Sequence, residues 1–251
     1  DMTIVFTATK HHSEFIHALL NKVGVTSTVV YGSMDQDARE SHLKQFRNGQ
    51  ISYLIVTDLA ARGIDIPLLN NVINLHFPPT SKLFVHRCGR AARQGRIGYA
   101  FSLIEPEEMA FMTDVHLFLG KPVENVYHGN DNGMAADNRE KMVAKIGAGT
   151  GKGNVAGTSE VTLSSHTKGY TLNEMTPDMI HTGLLPQDIL DREIEFIAKS
   201  IKEDDLLKNL FKVSENAMKQ YRRTRTEASH RGISMAKKII QGNAIVNIHP
   251  V

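Results

Sequence analysis

The chain has 251 residues, of which 41% are apolar and 22% are charged, which is enough apolar material for a folded core and further segments. The formal net charge is only +2, so overall charge does not identify a nucleic-acid or membrane partner, and only local patches can. The single cysteine excludes an intrachain disulfide and favours a reducing compartment. No apolar run approaches the ~18 residues of a transmembrane helix.

Short apolar, β-branched runs alternate with amphipathic stretches over roughly the first half of the chain. The pattern predicts five strands, at 3–7, 27–31, 51–57, 70–77 and 98–104. It predicts helices at 12–23, from the cap Asp35 to Asn48, at 81–93, and from Pro106 to Gly120. Strands that are apolar throughout and alternate with helices are typical of an α/β fold with a mostly parallel sheet and helices on both faces.

The pattern changes after residue 122. Residues 123–185 are rich in Gly, Asn, Thr and Ser, and GAGTGKGNVAGTS (147–159) is typical of a flexible linker. Within it AGTGKG has some likeness to a phosphate-binding P-loop, but Gly153 follows Lys152 where that loop needs Ser or Thr, and no strand precedes it. Apolar residues at helical spacing resume in 186–251, which predicts a helical, basic C-terminal extension.

Polar residues follow three of the predicted strands, at the edge where ligands of parallel sheets usually bind. They belong to TATK (7–10), TDLAARGID (57–65) and HRCGRAARQGRIG (86–98). In the last segment arginines recur every third residue, and a guanidinium offers a charged, forked pair of donors to a phosphate. A solvated basic helix face is the alternative. In 57–65, Gly63 permits close approach of a ligand, and Asp65 suits a sugar hydroxyl or, alternatively, a helix cap.

Four of these motifs, in order and at matching spacing, resemble a known family. IVFTATK (4–10), QDAR (36–39), TDLAARGIDIP (57–67) and HRCGRAARQGR (86–96) resemble the C-terminal RecA-like lobe of the DEAD-box RNA helicases. The resemblance covers about residues 1–122 and implies a RecA-like parallel sheet. No Asp-Glu-Ala-Asp run is present, so the first lobe, which in this family supplies most Mg²⁺ ligands, lies outside this chain.

The resemblance implies a role for each matched position. Arginine fingers on the γ-phosphate of ATP would be Arg90 and Arg93. Nucleotide contacts would come from Gly63 and Asp65, and coupling between the two lobes from His86 and Arg87. RNA contacts would come from Thr9, Gly32, Gln36, Arg39 and Thr57.

A narrower resemblance concerns the segment DVHLFLGKPV (114–123) and the basic tail from Lys212 onwards. Both resemble a nucleolar subfamily that acts on precursors of the large ribosomal subunit, which implies ribosomal RNA precursors and pre-ribosomal proteins as partners and the nucleus and nucleolus as location. The tail cations, among them Arg222, Arg223 and Arg225, suit an RNA backbone, although a solvated helix face is the alternative. The preceding stretch, 186–211, is expected to dock on protein.

The sequence therefore predicts the second lobe of an ATP-dependent RNA helicase that acts in assembly of the large ribosomal subunit. Its cofactors would be ATP and Mg²⁺, and its partners RNA and its own N-terminal RecA-like lobe, with no membrane. Residues 1–251 alone are expected to hydrolyse no ATP. A non-catalytic RNA- and protein-binding module docked in a ribonucleoprotein is the alternative.

Overall fold

The computed structural model of the chain describes residues 2–64, 66, 69–91, 98–121, 123–125 and 180–241. Two compact units are present, one made of residues 1–112 and 195–228 and the other of residues 113–194 and 229–251. None of the described helices is long and apolar enough to cross a membrane. The predicted linker lies mostly at 126–179, outside the described residues, and the predicted domain boundaries stay predictions.

The first unit contains a five-stranded, fully parallel sheet in the order β2-β3-β1-β4-β5. Its strands are β1 (Thr3–Thr7), β2 (Ser27–Val30), β3 (Tyr53–Thr57), β4 (Asn71–Asn74) and β5 (Tyr99–Ser102). The helices that connect them are α1 (Lys10–Lys22), α2 (Gln36–Arg47), α3 (Asp58–Ala61) and α4 (Ser81–Cys88). The predicted strands are therefore confirmed: β1 matches in full, and the other four are shorter than predicted by one to four residues.

Helices cover both faces of the sheet because neighbouring strand residues point to opposite sides. On one face Ile4 and Phe6 pack with Leu43 and Phe46 of α2. On the other face Val5, Val29 and Ile55 pack with Ile16 and Leu20 of α1. The predicted RecA-like α/β arrangement is confirmed.

After the sheet, a 3₁₀ turn (Pro106–Glu108) leads into α5 (Met109–Leu119), which ends before Gly120 at φ 64°. The extension is helical, as predicted: α6 (Gln187–Glu203), α7 (Asp205–Thr224) and α8 (His230–Gln241). Within the first unit α7 packs along α1, with Phe15 and Phe211 5.6 Å apart between ring centroids and Lys22 Nζ 3.0 Å from Asp204 Oδ2.

In the second unit, β6 (Val123–Asn125) and β7 (Ile180–Thr182) form a two-stranded parallel sheet. The hydroxyl of Thr113 donates to the carbonyl of Gly232 at 2.9 Å, and the backbone N–H of Ser229 donates to Asp114 at 2.7 Å. These contacts fix α8 on the C-terminal part of α5.

Helix α4 is shorter than predicted. It ends at Cys88 rather than at residue 93, and Gly89 caps it with its N–H donated to the carbonyl of Val85 at 2.8 Å. The chain then turns, and Ala91 forms a parallel bridge with Leu69. Glycine is a poor helix residue, and the bridge to Leu69 draws the chain away from the helix axis. Arg87 and Arg90 consequently do not line one side of a common helix, and this part of the prediction was wrong.

Candidate functional site

Three loops meet at the carboxyl edge of the sheet because its strands are parallel and in register. Thr7 is opposite Thr57, and Phe6 is opposite Asn74. The chain segments that follow β1, β3 and β4 therefore leave the sheet side by side. The sequence predicted three polar segments at this edge, the third being the arginine run on the helix after β4. Thr57 is the last residue of β3, and Thr9 and Gly63 lie on the segments that follow β1 and β3.

A cleft of about 350 Å³ opens at this edge, between α3 and the end of α4. Its polar lining consists of Asp58, Arg62, His86, Arg87 and Arg90. The structure thus brings together the predicted coupling residues, His86 and Arg87, and the first predicted arginine finger. Arg93 and Asp65, the other predicted finger and the predicted ribose contact, lie outside the described residues.

Arg87 is the largest fully buried side chain among the described residues, 1% exposed. Its Nε and Nη2 donate to the two carboxylate oxygens of Asp58 at 2.6 and 2.8 Å, and its Nη1 donates to Asn74 Oδ1 and to the carbonyl of His76. The guanidinium carbon also lies 4.9 Å from the ring centroid of Phe6. Arg87 therefore ties α4 to α3 and β4 from inside, while His86 is exposed on the cleft.

Arg90 follows the helix and is half-buried. Its Nη1 donates to the carbonyl of Ile64 at 3.4 Å, and its Nη2 donates to the carbonyl of Ala61 at 3.3 Å. These are long bonds for a charged donor, whose usual distance is about 2.7–2.9 Å. A phosphate would be a stronger acceptor than these two carbonyls, so the cationic lining suits an anionic ligand such as a nucleotide phosphate.

A second cleft, of about 660 Å³, lies beside α2 and joins two of the predicted motifs. Gln36 and Arg39 line it from α2, and Gly63 lines it from the loop after α3. Arg39 Nη2 donates to the carbonyl of Ala60 at 2.9 Å, and Gln36 donates to Glu40 at 3.1 Å. Gly63 has φ 71° and open space where a Cβ would stand, which explains the glycine at this position.

Gly32, a predicted RNA residue, is exposed and lies against another exposed side chain. A Cβ built there would meet Leu59 Cδ2 at 2.9 Å, and Leu59 is 69% exposed. The flexible end of that leucine can turn away, so the structure itself does not require glycine at position 32. The predicted role of Gly32 in RNA binding stays a prediction.

Two histidines behind Thr9 were not predicted. Thr9 caps α1, its Oγ lies 2.8 Å from His12 Nδ1, and the backbone N–H of Ala8 donates to His76 Nδ1 at 3.3 Å. The two imidazole rings lie 4.4 Å apart, edge to face. In the sequence, the only signal for His12 is its position one turn after Thr9, and nothing marks His76.

Both imidazoles are held neutral. Burial and, to a smaller extent, the charge of His11 lower the pKa of His12 to about 4. Burial lowers the pKa of His76 to about 3, with smaller contributions from His12, Arg87 and Arg222. A neutral His76 can accept the Ala8 N–H at Nδ1, so the pair fixes the backbone that carries Thr9.

The tail arginines differ in their surroundings. Arg222 pairs with Glu105 at 2.6 Å and with Glu107 at 3.0 Å, and Arg225 lies 3.8 Å from Glu108. Arg223 is exposed. RNA binding by all three stays a prediction, but two of them would have to leave carboxylates of this chain to reach a phosphate.

Comparison with known proteins gives consistent matches. Residues 1–95 match the model of the helicase conserved C-terminal domain. The chain is similar to the ATP-dependent RNA helicase ddx54 of Dictyostelium discoideum (41% identity over 93% of this chain and 18% of that protein). It is also similar to the ATP-dependent RNA helicase DDX54 of Mus musculus (38%, over 100% of this chain and 24% of that protein). A third relative is the putative DEAD-box ATP-dependent RNA helicase 29 of Arabidopsis thaliana (37% identity over 99% of this chain and 26% of that protein). The chain thus spans about a fifth to a quarter of these relatives.

Proposed function

The chain belongs to the DEAD-box RNA helicases, and on that premise we propose that it is the second lobe of an ATP-dependent RNA helicase that remodels ribosomal RNA precursors during assembly of the large ribosomal subunit. The observation that carries the proposal is the cationic cleft at the carboxyl edge, with Arg90 at its rim. ATP, with Mg²⁺ bound mainly by the first lobe, supplies the free energy of phosphoanhydride hydrolysis.

In this proposal Arg90, together with Arg93, turns from the carbonyls of Ala61 and Ile64 to the γ-phosphate when the two lobes close. The two bonds to neutral carbonyls are long, so exchanging them for shorter bonds to an anionic phosphate is favourable. Gly63 and Asp65 would contact the nucleotide, Asp65 at its ribose. A guanidinium placed on a transferring phosphoryl group accelerates its transfer by roughly 10³–10⁵.

RNA would lie across the loops on the other side of the same edge. Thr9 and Thr57 stand at the ends of β1 and β3, and Gln36 and Arg39 line the cleft beside α2. Gly32 would allow close approach of the RNA backbone, and His86 and Arg87 would link the RNA loops to the nucleotide cleft. Phosphate contacts of this kind are tolerant of base sequence. Nuclear and nucleolar location and pre-ribosomal protein partners belong to the same proposal.

The test is RNA-stimulated ATP hydrolysis by the full-length protein. Arg90→Ala should lower turnover roughly 10³-fold or more, whereas Lys82→Ala, which removes an exposed cation on the helix preceding Arg90, should leave it unchanged. Equal turnover in the two variants would contradict the finger role and favour a non-catalytic RNA- and protein-binding module. Residues 1–251 alone should hydrolyse no ATP, because the first lobe is needed to hold the phosphates.

A further inference from the structure

The C-terminal end of α7 contacts the lobe at a second point, far along the helix from Phe211. Beyond the last turn of α7, Arg225 lies with Glu108 in a nearly closed environment, the two side chains being 11% and 7% exposed. The Arg225 guanidinium carbon lies 4.5 Å from the ring centroid of Phe111 and 5.9 Å from that of Tyr221. The arginine is thus packed between two aromatic rings as well as paired with a carboxylate.

Glu108 in turn reaches the segment that leads into α4. Its carboxylate accepts the backbone N–H of Phe77 at 3.2 Å and that of Glu105 at 3.4 Å. Phe77 is fully buried, and its ring stacks on Phe84 of α4 at 5.6 Å between centroids. Contacts therefore run without a break from Arg225 through Glu108 and Phe77 to the helix that carries Arg87 and precedes Arg90.

We propose that Arg225 is a positioning residue that, through Glu108 and Phe77, sets the position of α4 and hence of Arg87 and Arg90. This inference rests on the proposed function for one point only, namely that a nucleotide binds beside α4. Arg222, whose pairs with Glu105 and Glu107 are largely exposed, contributes little to this effect, since exposed pairs are weak.

The charge of Glu108 is the reason that Arg225 matters. Burial raises the pKa of Glu108, while the N–H groups of Glu105 and Phe77 and the charge of Arg225 lower it. Removing Arg225 leaves a buried carboxylate without its cation, a situation that proteins relieve by protonation or by moving the group into water. Either change weakens the hydrogen bond from the Phe77 N–H to Glu108, and Phe84 then loses a firmly placed ring to pack against.

Tyr221 extends the contact toward the cleft. The pKa of Tyr221 is raised, chiefly by burial. The charges of Arg87 and Arg225 lower it, and those of Asp58 and Glu108 raise it. The end of α7 is therefore within electrostatic range of the Arg87–Asp58 pair itself.

The experiment is hydrogen exchange on the 251-residue chain, without nucleotide or RNA. In Arg225→Gln the amides of 84–90 should exchange at least about tenfold faster than in the wild type, corresponding to about 1.4 kcal/mol of local opening. Arg223→Gln, the same charge change two residues earlier on an exposed side chain, is the matched control and should not change their exchange. If Arg225→Gln does not fold, Arg225→Lys is compared with Arg223→Lys in the same way.

Unchanged exchange of 84–90 in the folded Arg225 variant would overturn the proposal, even if its melting temperature fell. An RNA-binding measurement distinguishes this proposal from the alternative that Arg225 binds an RNA phosphate. If Arg225 holds an RNA phosphate instead, its loss lowers the salt dependence of single-strand binding by about 0.7 in the log–log slope and leaves α4 unchanged, which also overturns the proposal. Absence of ATP hydrolysis in the full-length wild type would contradict the proposed function but leave the exchange result standing.

Discussion

Arg87 and Asp58 form a two-point ion pair, Nε to Oδ1 at 2.6 Å and Nη2 to Oδ2 at 2.8 Å, between helices that are adjacent at the carboxyl edge but separate in the sequence. The arginine is 1% exposed and the aspartate 24%. A bidentate ion pair of this kind fixes both the distance and the relative orientation of the two side chains. The pair therefore fixes how α3 and α4 stand on either side of the cleft that Asp58, Arg87 and Arg90 line.

Arg87→Met should destabilise the chain by about 3–5 kcal/mol, because it leaves Asp58 without its cation and two further acceptors without donors. Chemical denaturation of the 251-residue chain measures this. Lys82→Met, on the exposed side of the same helix, should change the free energy of unfolding by less than about 0.5 kcal/mol. Similar losses in the two variants would show that the buried pair contributes nothing specific.

Adjacent leucines in α7 should respond very differently to truncation. Leu207 is 1% exposed and Leu206 is 62% exposed. Leu207→Ala should lower the free energy of unfolding by about 2–5 kcal/mol through lost burial and a residual cavity, and Leu206→Ala by less than about 1 kcal/mol. Thermal or urea unfolding of the two variants distinguishes them. Equal effects would mean that α7 is not packed on the lobe in solution.

Gly63→Ala should be destabilised by about 1–2 kcal/mol through backbone strain alone, since φ is 71° and no atom lies within 4 Å of the added Cβ. Gly63→Asn should lose less, because asparagine tolerates the left-handed region better. Urea denaturation gives both values. A Gly63→Ala chain as stable as the wild type would contradict the strained conformation.

Stability should fall as the pH decreases below 6.5. The folded chain holds the pKa of His76 at about 3 and that of His12 at about 4, whereas the unfolded values are close to 6.5. Between those limits the unfolded state binds more protons, so the stabilisation is complete above pH 6.5 and is lost as the pH falls toward 4 and 3.

The substitution His76→Asn keeps an acceptor for the backbone N–H of Ala8 and removes one of the two imidazoles that bind a proton on unfolding. The slope of unfolding free energy against pH should therefore decrease by up to about 1.4 kcal/mol per pH unit between pH 6 and about 4. Urea titrations at several pH values measure the slope. Parallel curves for variant and wild type would show that His76 does not titrate differently in the two states.

The sheet could be predicted because its signal is local. Apolar runs, their alternation with amphipathic stretches and the cap Asp35, whose side chain accepts from the N–H groups of Asp37 and Ala38, are all visible within a few residues. The motifs at strand ends could be predicted to meet because parallel strands carry their loops to one edge. Gln36, Arg39 and Gly63 do line one cleft.

Long-range partners could not be predicted in the same way. Spacing of three suggested that Arg87 and Arg90 share a helix face, but the burial of Arg87 depends on Asp58, which precedes it by 29 residues. The tail cations looked available for RNA, yet Arg222 pairs with Glu105, 117 residues earlier. No periodicity encodes such pairs, because they depend on which surfaces meet once the chain has folded.

The packing of α7 on α1 has a consequence for how the chain is made. Lys22 and Asp204 pair across 182 residues, and translation adds roughly 5–20 residues per second. The outer face of α1, with Phe15 on it, therefore emerges some 10–40 s, in order of magnitude, before its covering helix exists. During that interval Phe15 lacks its partner Phe211, and this side of α1 is covered only after all five strands of the sheet, the last of which ends at Ser102, have been made.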